Sequence, residues 1–244
     1  MSKHILLRGL AAALLIACGS AGASGLQVAP VGLEFAPGNT AQGVWLTNTG
    51  NDVLRAQVRV FHWTQVDGKD VLVPTQGLVA SPPMLSLQPG AQQLVRVIRT
   101  GAAANTNEDA YRLLVDELPQ PEKEDRSSVR YILRYSVPAF IEPAGSINAT
   151  PALTWSLRHD GNAIELVAHN AGARHAQISD ASLQLPGGKR ITLSNGLLGY
   201  VLPGSTMRWP LQAPAAQLGN GTLLKVTVNG KPVEQPLPGD DLHR

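Results

Sequence analysis

The 244-residue sequence predicts an all-β protein built as two immunoglobulin-like β-sandwich domains joined at a hinge. Three observations carry this. After Leu26, most stretches alternate apolar and polar residues over roughly five to nine positions and then meet Gly, Pro, Asn or Asp, the pattern of half-buried strands closed by turns. No stretch holds a helical period through about twelve residues, so helices are at most single turns. Seven such strands precede Pro143, with the spacing of an immunoglobulin-like sandwich.

Residues 1–24 stand outside the fold. Lys3 and Arg8, a short apolar run from Leu10 to Ala17 and the small residues Ala21-Gly22-Ala23 form an export signal too short to span a membrane permanently. A second reading competes, because Leu15-Ile16-Ala17-Cys18 looks like a lipid-attachment box and Cys18 is the only cysteine. Without this segment the chain has 18 basic and 18 acidic residues, no net charge and no cysteine. It lacks the basic footprint of a nucleic-acid binder, and it has neither disulfides nor thiolate metal sites.

The first domain spans 25–143, with strands near 27–35, 42–48, 53–65, 71–73, 92–99, 110–118 and 129–141. "VDGKD" (66–70) and "LQPGAQ" (87–92) supply tight turns, and "PQPEKEDRSS" (119–128) is a charged, proline-containing loop. "EPAGS" (142–146) is the hinge. The second domain, 144–244, has strands near 151–158, 163–169, 176–185, 190–193, 197–202, 206–211, 222–228 and 232–235, with "VNGK" (228–231) as an Asn-Gly hairpin.

Catalytic constellations are missing from this pattern. Beyond the export signal the histidines are His62, His159, His169, His175 and His243, none paired at helical metal-ligand spacing. His169 and His175 flank the turn "NAGAR" and read as solvated turn residues rather than metal ligands. No G-x-S-x-G elbow occurs, and "LPGGKR" (185–190) lacks the strand–loop–helix setting of a phosphate loop. Asp116 and Glu117 are adjacent on a strand, so they point to opposite faces and make a poor acid/base pair. The chain reads as neither an enzyme nor a cofactor binder.

The strand at 129–141 raises the functional question. Val129, Tyr131, Leu133, Tyr135, Val137, Ala139 and Ile141 share one face, and the strand enters its sheet from a charged loop. A bare apolar edge is an aggregation hazard unless something covers it. From the residues alone, this face either packs on the domain's own core or meets a partner.

Several motifs in order favour the partner. "PVGLEF" (30–35), "VWLTNTG" (44–50), "RVFHWTQ" (59–65), "VASPPMLSLQPGAQQLVRVIR" (79–99), "AYRLLVDELP" (110–119) and "RYILRYSVPAFIEP" (130–143) span the first domain and resemble the periplasmic pilus-assembly chaperones of the chaperone–usher pathway. The wording of "FHWTQ", "ASPP" and "AYRLLVDE" resembles the archaic, or sigma, branch; the second domain matches only by strand pattern. The resemblance implies a chaperone without a cofactor that lends its last strand to an incomplete pilus subunit and passes the subunit to an outer-membrane usher. Such donor-strand complementation is β-strand addition, with main-chain hydrogen bonds for affinity and alternate pockets for specificity. The donor set it implies here is Val129, Tyr131, Leu133 and Tyr135.

In the best-known branch of the family, an arginine on the first strand and a lysine near the end of the donor strand hold the subunit's terminal carboxylate. Gly32 and Pro138 stand at those positions here. Arg112, helped by Arg134, is the expected replacement, with Arg96 and Arg99 as alternatives, because Arg suits bidentate carboxylate binding. The resemblance further implies a cis Ser81–Pro82 bond and an interdomain ion network of acidic, basic and acidic residues. Glu108 fits its first place, but Glu142 occupies the basic one. Expected partners are pilus subunits, an usher and, in the free protein, a second copy through exposed strands. A competing reading is an exported two-domain Ig-like adhesion or ligand-binding module, free or lipid-anchored through Cys18, with its binding surface on loop tips such as 101–109.

Overall fold

The computed structural model describes residues 25–101, 106–119, 132–145, 149–160, 163–212, 218 and 221–238. The architecture is all-β: two immunoglobulin-like sandwiches in sequence, with no helix among the described residues. The first contains β1 (Leu26–Ala29), β2 (Leu33–Phe35), β3 (Ala41–Asn48), β4 (Leu54–Val66), β5 (Lys69–Pro74), β6 (Leu78–Ser81), β7 (Met84–Leu87), β8 (Gln92–Arg99), β9 (Asp109–Leu118) and β10 (Arg134–Ile141). The second contains β11 (Leu153–Asp160), β12 (Ala163–Asn170), β13 (Ala176–Gln184), β14 (Arg190–Thr192), β15 (Leu197–Val201), β16 (Thr206–Leu211), β17 (Leu223–Val228) and β18 (Lys231–Pro236).

In the first sandwich a sheet ordered β1-β3-β8-β6 faces one ordered β2-β10-β9-β4-β5, with β7 also on β4. Alternation sends Leu26, Phe35, Val44, Leu46, Val95, Val97, Leu113 and Val115 into a common core. Phe35 is completely buried, and burial of such a side chain contributes about 1.5–3 kcal/mol. In the second sandwich, β11-β12-β16 faces β14-β13-β17-β18, with β15 also on β13, over a core that includes Ile164, Leu166, Ile178, Leu183 and Leu224.

Two departures from the sequence reading share one cause. The single strand expected at 27–35 is two strands in different sheets: β1 pairs antiparallel with β3, and β2 pairs parallel with β10. Likewise 78–87, to which the alternation assigned no strand, forms β6 in one sheet and β7 in the other. Each switch falls at a proline, and the Ala29–Pro30 and Ser81–Pro82 bonds are both cis. A proline has no N–H to give a ladder, so the strand ends there and the chain crosses between sheets.

Both short hairpins have the backbone their residues favour. Asp67 and Gly68 (φ 52° and 75°) turn β4 into β5, and Asn229 and Gly230 (φ 47° and 76°) turn β17 into β18. Buried asparagines fix two further corners. Asn48 donates to the Asp52 and Leu87 carbonyls and accepts from Gly50 N, whereas Asn170 donates to the Arg174 and Val201 carbonyls and accepts from Ala152 N and Gly172 N.

The turn after Asn170 binds the two sandwiches together. Glu108 N donates to the Ala173 carbonyl at 2.9 Å, and the Glu108 carboxylate, fully shielded from solvent, accepts from His175 N at 2.7 Å. His175 Nδ1 lies 2.7 Å from the same carboxylate, and its ring stacks on Phe140 at 3.6 Å. Arg174 meets Glu34 at 3.3 Å, Glu142 at 3.0 Å and Glu108 at 3.6 Å. An interdomain ion network therefore exists with its polarity changed at two places: Glu142 at the hinge is acidic, and the cation, Arg174, comes from the second sandwich. His175, expected to be solvated, is buried in this joint. His169 sits in β12 with Nδ1 3.0 Å from Thr206 Oγ1.

A second joint lies on the far part of β4. Trp63, Ala110, Phe140, Tyr200 and Leu202 form a separate buried cluster. Gln65 donates to the Tyr200 carbonyl and accepts from Leu202 N, each at 2.9 Å, and Gly68 bridges to Met207.

Gly172 is the tightest point of the 170–175 turn, because a Cβ there would lie 2.3 Å from the Thr150 carbonyl oxygen. Gly172→Ala should therefore force the turn apart and destabilise the protein by about 1–3 kcal/mol, read as a lower urea midpoint.

Candidate functional site

Strand β10 is covered unequally. On one side it pairs with β9 throughout, from Arg134 opposite Asp116 to Ile141 opposite Asp109. On the other, β2 reaches only Ala139, Phe140 and Ile141. Between Arg134 and Pro138, this edge of β10 has no strand beside it among the described residues. It offers the unpaired main-chain groups that strand addition requires.

The inward face of β10 changes along its length. Val137, Ala139 and Ile141 are buried in the first core, Tyr135 packs at its margin, and Leu133 is half-buried. Tyr135 Oη donates to the Leu26 carbonyl at 2.6 Å. Covering the domain's own core thus accounts for the hinge-side half of the alternating face, while Leu133 is not part of that core. Val129 and Tyr131 lie outside the described residues. Ile132, on the opposite parity, is 53% exposed.

The outer face of the same sheet carries the basic side chains. Arg112 is opposite Pro138 and Phe61. Its guanidinium lies 3.7 Å above the Trp63 ring and 5.2 Å from that of Tyr200, which places it beside the seam between the sandwiches. Burial pushes its pKa down from the usual arginine value, opposed by the negative potential of Asp70 and by Tyr200. Asp70 is itself held in this corner by Trp63 Nε1 and Gln65 Nε2, each at 2.9 Å. Gly32 and Pro138 are neighbours, since a Cβ on Gly32 would lie 3.8 Å from Pro138 Cγ. The two positions that resemblance marks for basic residues therefore meet beside the residue paired with Arg112.

Arg134 does not join Arg112. It stands four register positions away, roughly 13 Å along the strand, and its guanidinium grips Asp116. The expected convergence of the two arginines fails because Arg112 leans onto Trp63, whereas Arg134 has a carboxylate directly opposite. Arg96 and Arg99 belong to β8, in the other sheet.

Asp116, set aside above as a poor catalytic partner for Glu117, links three strands. One carboxylate oxygen is held by Arg134 of β10, and the other accepts from Arg59 Nη2 at 2.7 Å and Nε at 3.3 Å from β4. Arg59 also lies 5.6 Å from the Phe61 ring centre. Only the strand alternation hinted at this group, by putting Arg59, Asp116 and Arg134 on one face. Arg174, His175 and Tyr200 carried no local signal, because their partners lie on another sandwich.

Burial alone would raise the Asp116 pKa, but the hydrogen bonds and positive charges of Arg59 and Arg134 outweigh it and hold the carboxyl below its ordinary value. A depressed carboxylate contributes stability that is present above its unfolded pKa of about 3.9 and lost as pH falls through the folded value. The stability advantage of the native chain over Asp116→Asn should stay constant above about pH 5 and shrink below about pH 4, as urea midpoints across that range would show.

Comparison with known proteins adds a family and a fold. Residues 25–146 match the model described as pili and flagellar-assembly chaperone, PapD N-terminal domain. A solved chain from the CsuC–CsuE chaperone–tip adhesion subunit pre-assembly complex of the archaic chaperone-usher Csu pili of Acinetobacter baumannii is 24% identical, with a TM-score of 0.70 over 88% of this chain and 98% of that one. The YadV chaperone is 16% identical, with a TM-score of 0.65 over 87% and 99% of the two chains. The E. coli chaperone DraB is 20% identical, with a TM-score of 0.60 over 88% and 98%. No curated protein matches the chain by sequence. At these identities the solved structures show a shared two-domain fold.

Proposed function

The chain belongs to the family of pili and flagellar-assembly chaperones, and we propose that it works in the periplasm by donor-strand complementation, stabilising incomplete pilus subunits and delivering them to an outer-membrane usher. The family is one of chaperones rather than enzymes. The observation that carries the mechanism is the half-covered edge of β10, free from Arg134 to Pro138 and continuous with the alternating segment that holds Leu133. A subunit lacking a strand needs those two things together: open main-chain groups to complete its sheet, and alternate apolar side chains to fill its core.

Within this reading Val129, Tyr131 and Leu133 are the donor residues. Tyr135 stands at the boundary, shared between the chaperone's own core and the subunit. Membership of the archaic branch is part of this proposal, supported by the wording of "FHWTQ", "ASPP" and "AYRLLVDE" and by likeness in fold to a solved chain from an archaic chaperone-usher complex. Arg112 is the anchor for the subunit's terminal carboxylate. It occupies the ground next to Gly32 and Pro138, its stacking on Trp63 holds it in place, and among the described residues no carboxylate takes up its hydrogen-bond donors.

Co-expression with candidate subunits followed by purification tests the mechanism. Leu133→Asp and Tyr131→Asp should each lose the subunit while the chaperone keeps its unfolding midpoint; retention of the subunit by both variants refutes the donor assignment. Arg112→Glu should abolish subunit recovery, and Arg112→Gln, which keeps most of the side chain's volume, should lower it roughly tenfold or more, the cost of losing one charge-assisted contact. Undiminished recovery with Arg112→Gln would show that the terminus is held elsewhere.

A further inference from the structure

The exposed start of β10 has a register problem that apolar alternation cannot solve. A slip of one residue would flip Leu133 and Tyr135 to the wrong face, which the core opposes. A slip of two residues keeps every apolar side chain on its own face, merely moving Leu133 to the place of Tyr135. At the hinge end β2 and the buried Val137, Ala139 and Ile141 resist this. Toward Arg134 only β9 is alongside.

Asp116 distinguishes the two registers. In the observed pairing it faces Arg134, whereas a two-residue slip would put Ser136 or Ile132 opposite and leave the carboxylate without its cross-strand cation. Its other oxygen is tied to Arg59, so the carboxylate itself is anchored to β4 and does not follow β10. The main-chain hydrogen bond from Glu117 N to the Leu133 carbonyl, 3.0 Å long, lies immediately beyond this contact and carries the pairing to Leu133.

We propose that Asp116 is a positioning residue for the donor strand: through Arg134, and braced by Arg59, it sets the register in which Leu133 is presented to a subunit. Resting on the donor-strand reading above, this adds a specificity determinant outside the apolar set. A subunit's pockets lie at fixed intervals, so a donor strand in a mixture of registers offers only part of its population to each one. The loss caused by removing Asp116 therefore concerns presentation rather than contact, since Asp116 need not touch the subunit.

Asp116→Asn, Arg134→Gln and the double variant test the idea, with Leu133→Asp as the reference for loss of donor function. In the free chaperone, exchange of the Glu117 amide should speed about tenfold in each single variant, as expected for losing a charge-assisted contact, while the global unfolding midpoint of Arg134→Gln stays near that of the native chain. Affinity for a co-purified subunit should fall by a similar factor in each single variant, and the double variant should be no worse than either. Unchanged Glu117 exchange in the single variants, or losses of affinity that multiply in the double, overturns the proposal. If Leu133→Asp keeps its subunit, the donor-strand reading has failed instead, and the exchange measurement alone then judges whether Asp116 sets the register.

Discussion

A carboxylate with no exposure to solvent, Glu108, is the constraint on which the arrangement of the molecule rests. Burying a carboxylate is costly unless polar partners replace water, and here the second sandwich supplies His175 N and His175 Nδ1 to Oε2, with Arg174 Nε 3.6 Å from Oε1. The contact can be satisfied only when the 170–175 turn lies against the start of β9. Phe140 then stacks on His175, Tyr200 reaches Trp63, and Arg112 comes to rest above Trp63 beside the seam. The position of the Arg112 guanidinium is thus coupled, through one buried acid, to how the two sandwiches meet.

The proposed donor edge is under a different constraint. A strand must be open on one side to be lent, yet ordered enough to be lent in one register. β10 is suited to both demands by dividing its length: the hinge half is clamped between β9 and β2, and among the described residues the other half has β9 alone. β5, the opposite edge of the same sheet, exposes Val71, Leu72 and Val73, but Lys69 and Asp70 charge its start and Pro74 closes its end. These are the devices by which edges are kept from pairing at random, and the open part of β10 has fewer of them.

Much of this fold is legible in the amino acids. Alternation locates the strands, and Asp67-Gly68 and Asn229-Gly230 mark hairpins that the backbone angles match. Splitting of the first strand at Pro30 and the crossing at Pro82 are harder to read, because a short apolar run does not say which sheet it joins; only the missing N–H of a proline marks the break. The apolar face of the donor strand is visible as a pattern, but where the domain's own core stops covering it is not, since that depends on how far β2 extends. Charged pairs were the least legible. Arg134 has a partner one strand away, Glu108 meets His175 across 67 positions, and Arg112 lies over Trp63 of its own sandwich with Tyr200 of the other 5.2 Å away. No local period encodes such pairings.

The length of β4 has a mechanical consequence. Thirteen residues carry it well past its pairing with β9, so that its tip reaches β16 through Gly68 and Met207. Two bodies joined only at residues 142–145 would rotate about that point, as hinged domains do. A second tie, at a distance from the first, removes most of that freedom and turns a hinge into a braced frame. The angle between the two sandwiches is then set in the free chain. A partner that touched both sandwiches would find that angle already set, so little of its binding free energy would be diverted into changing it.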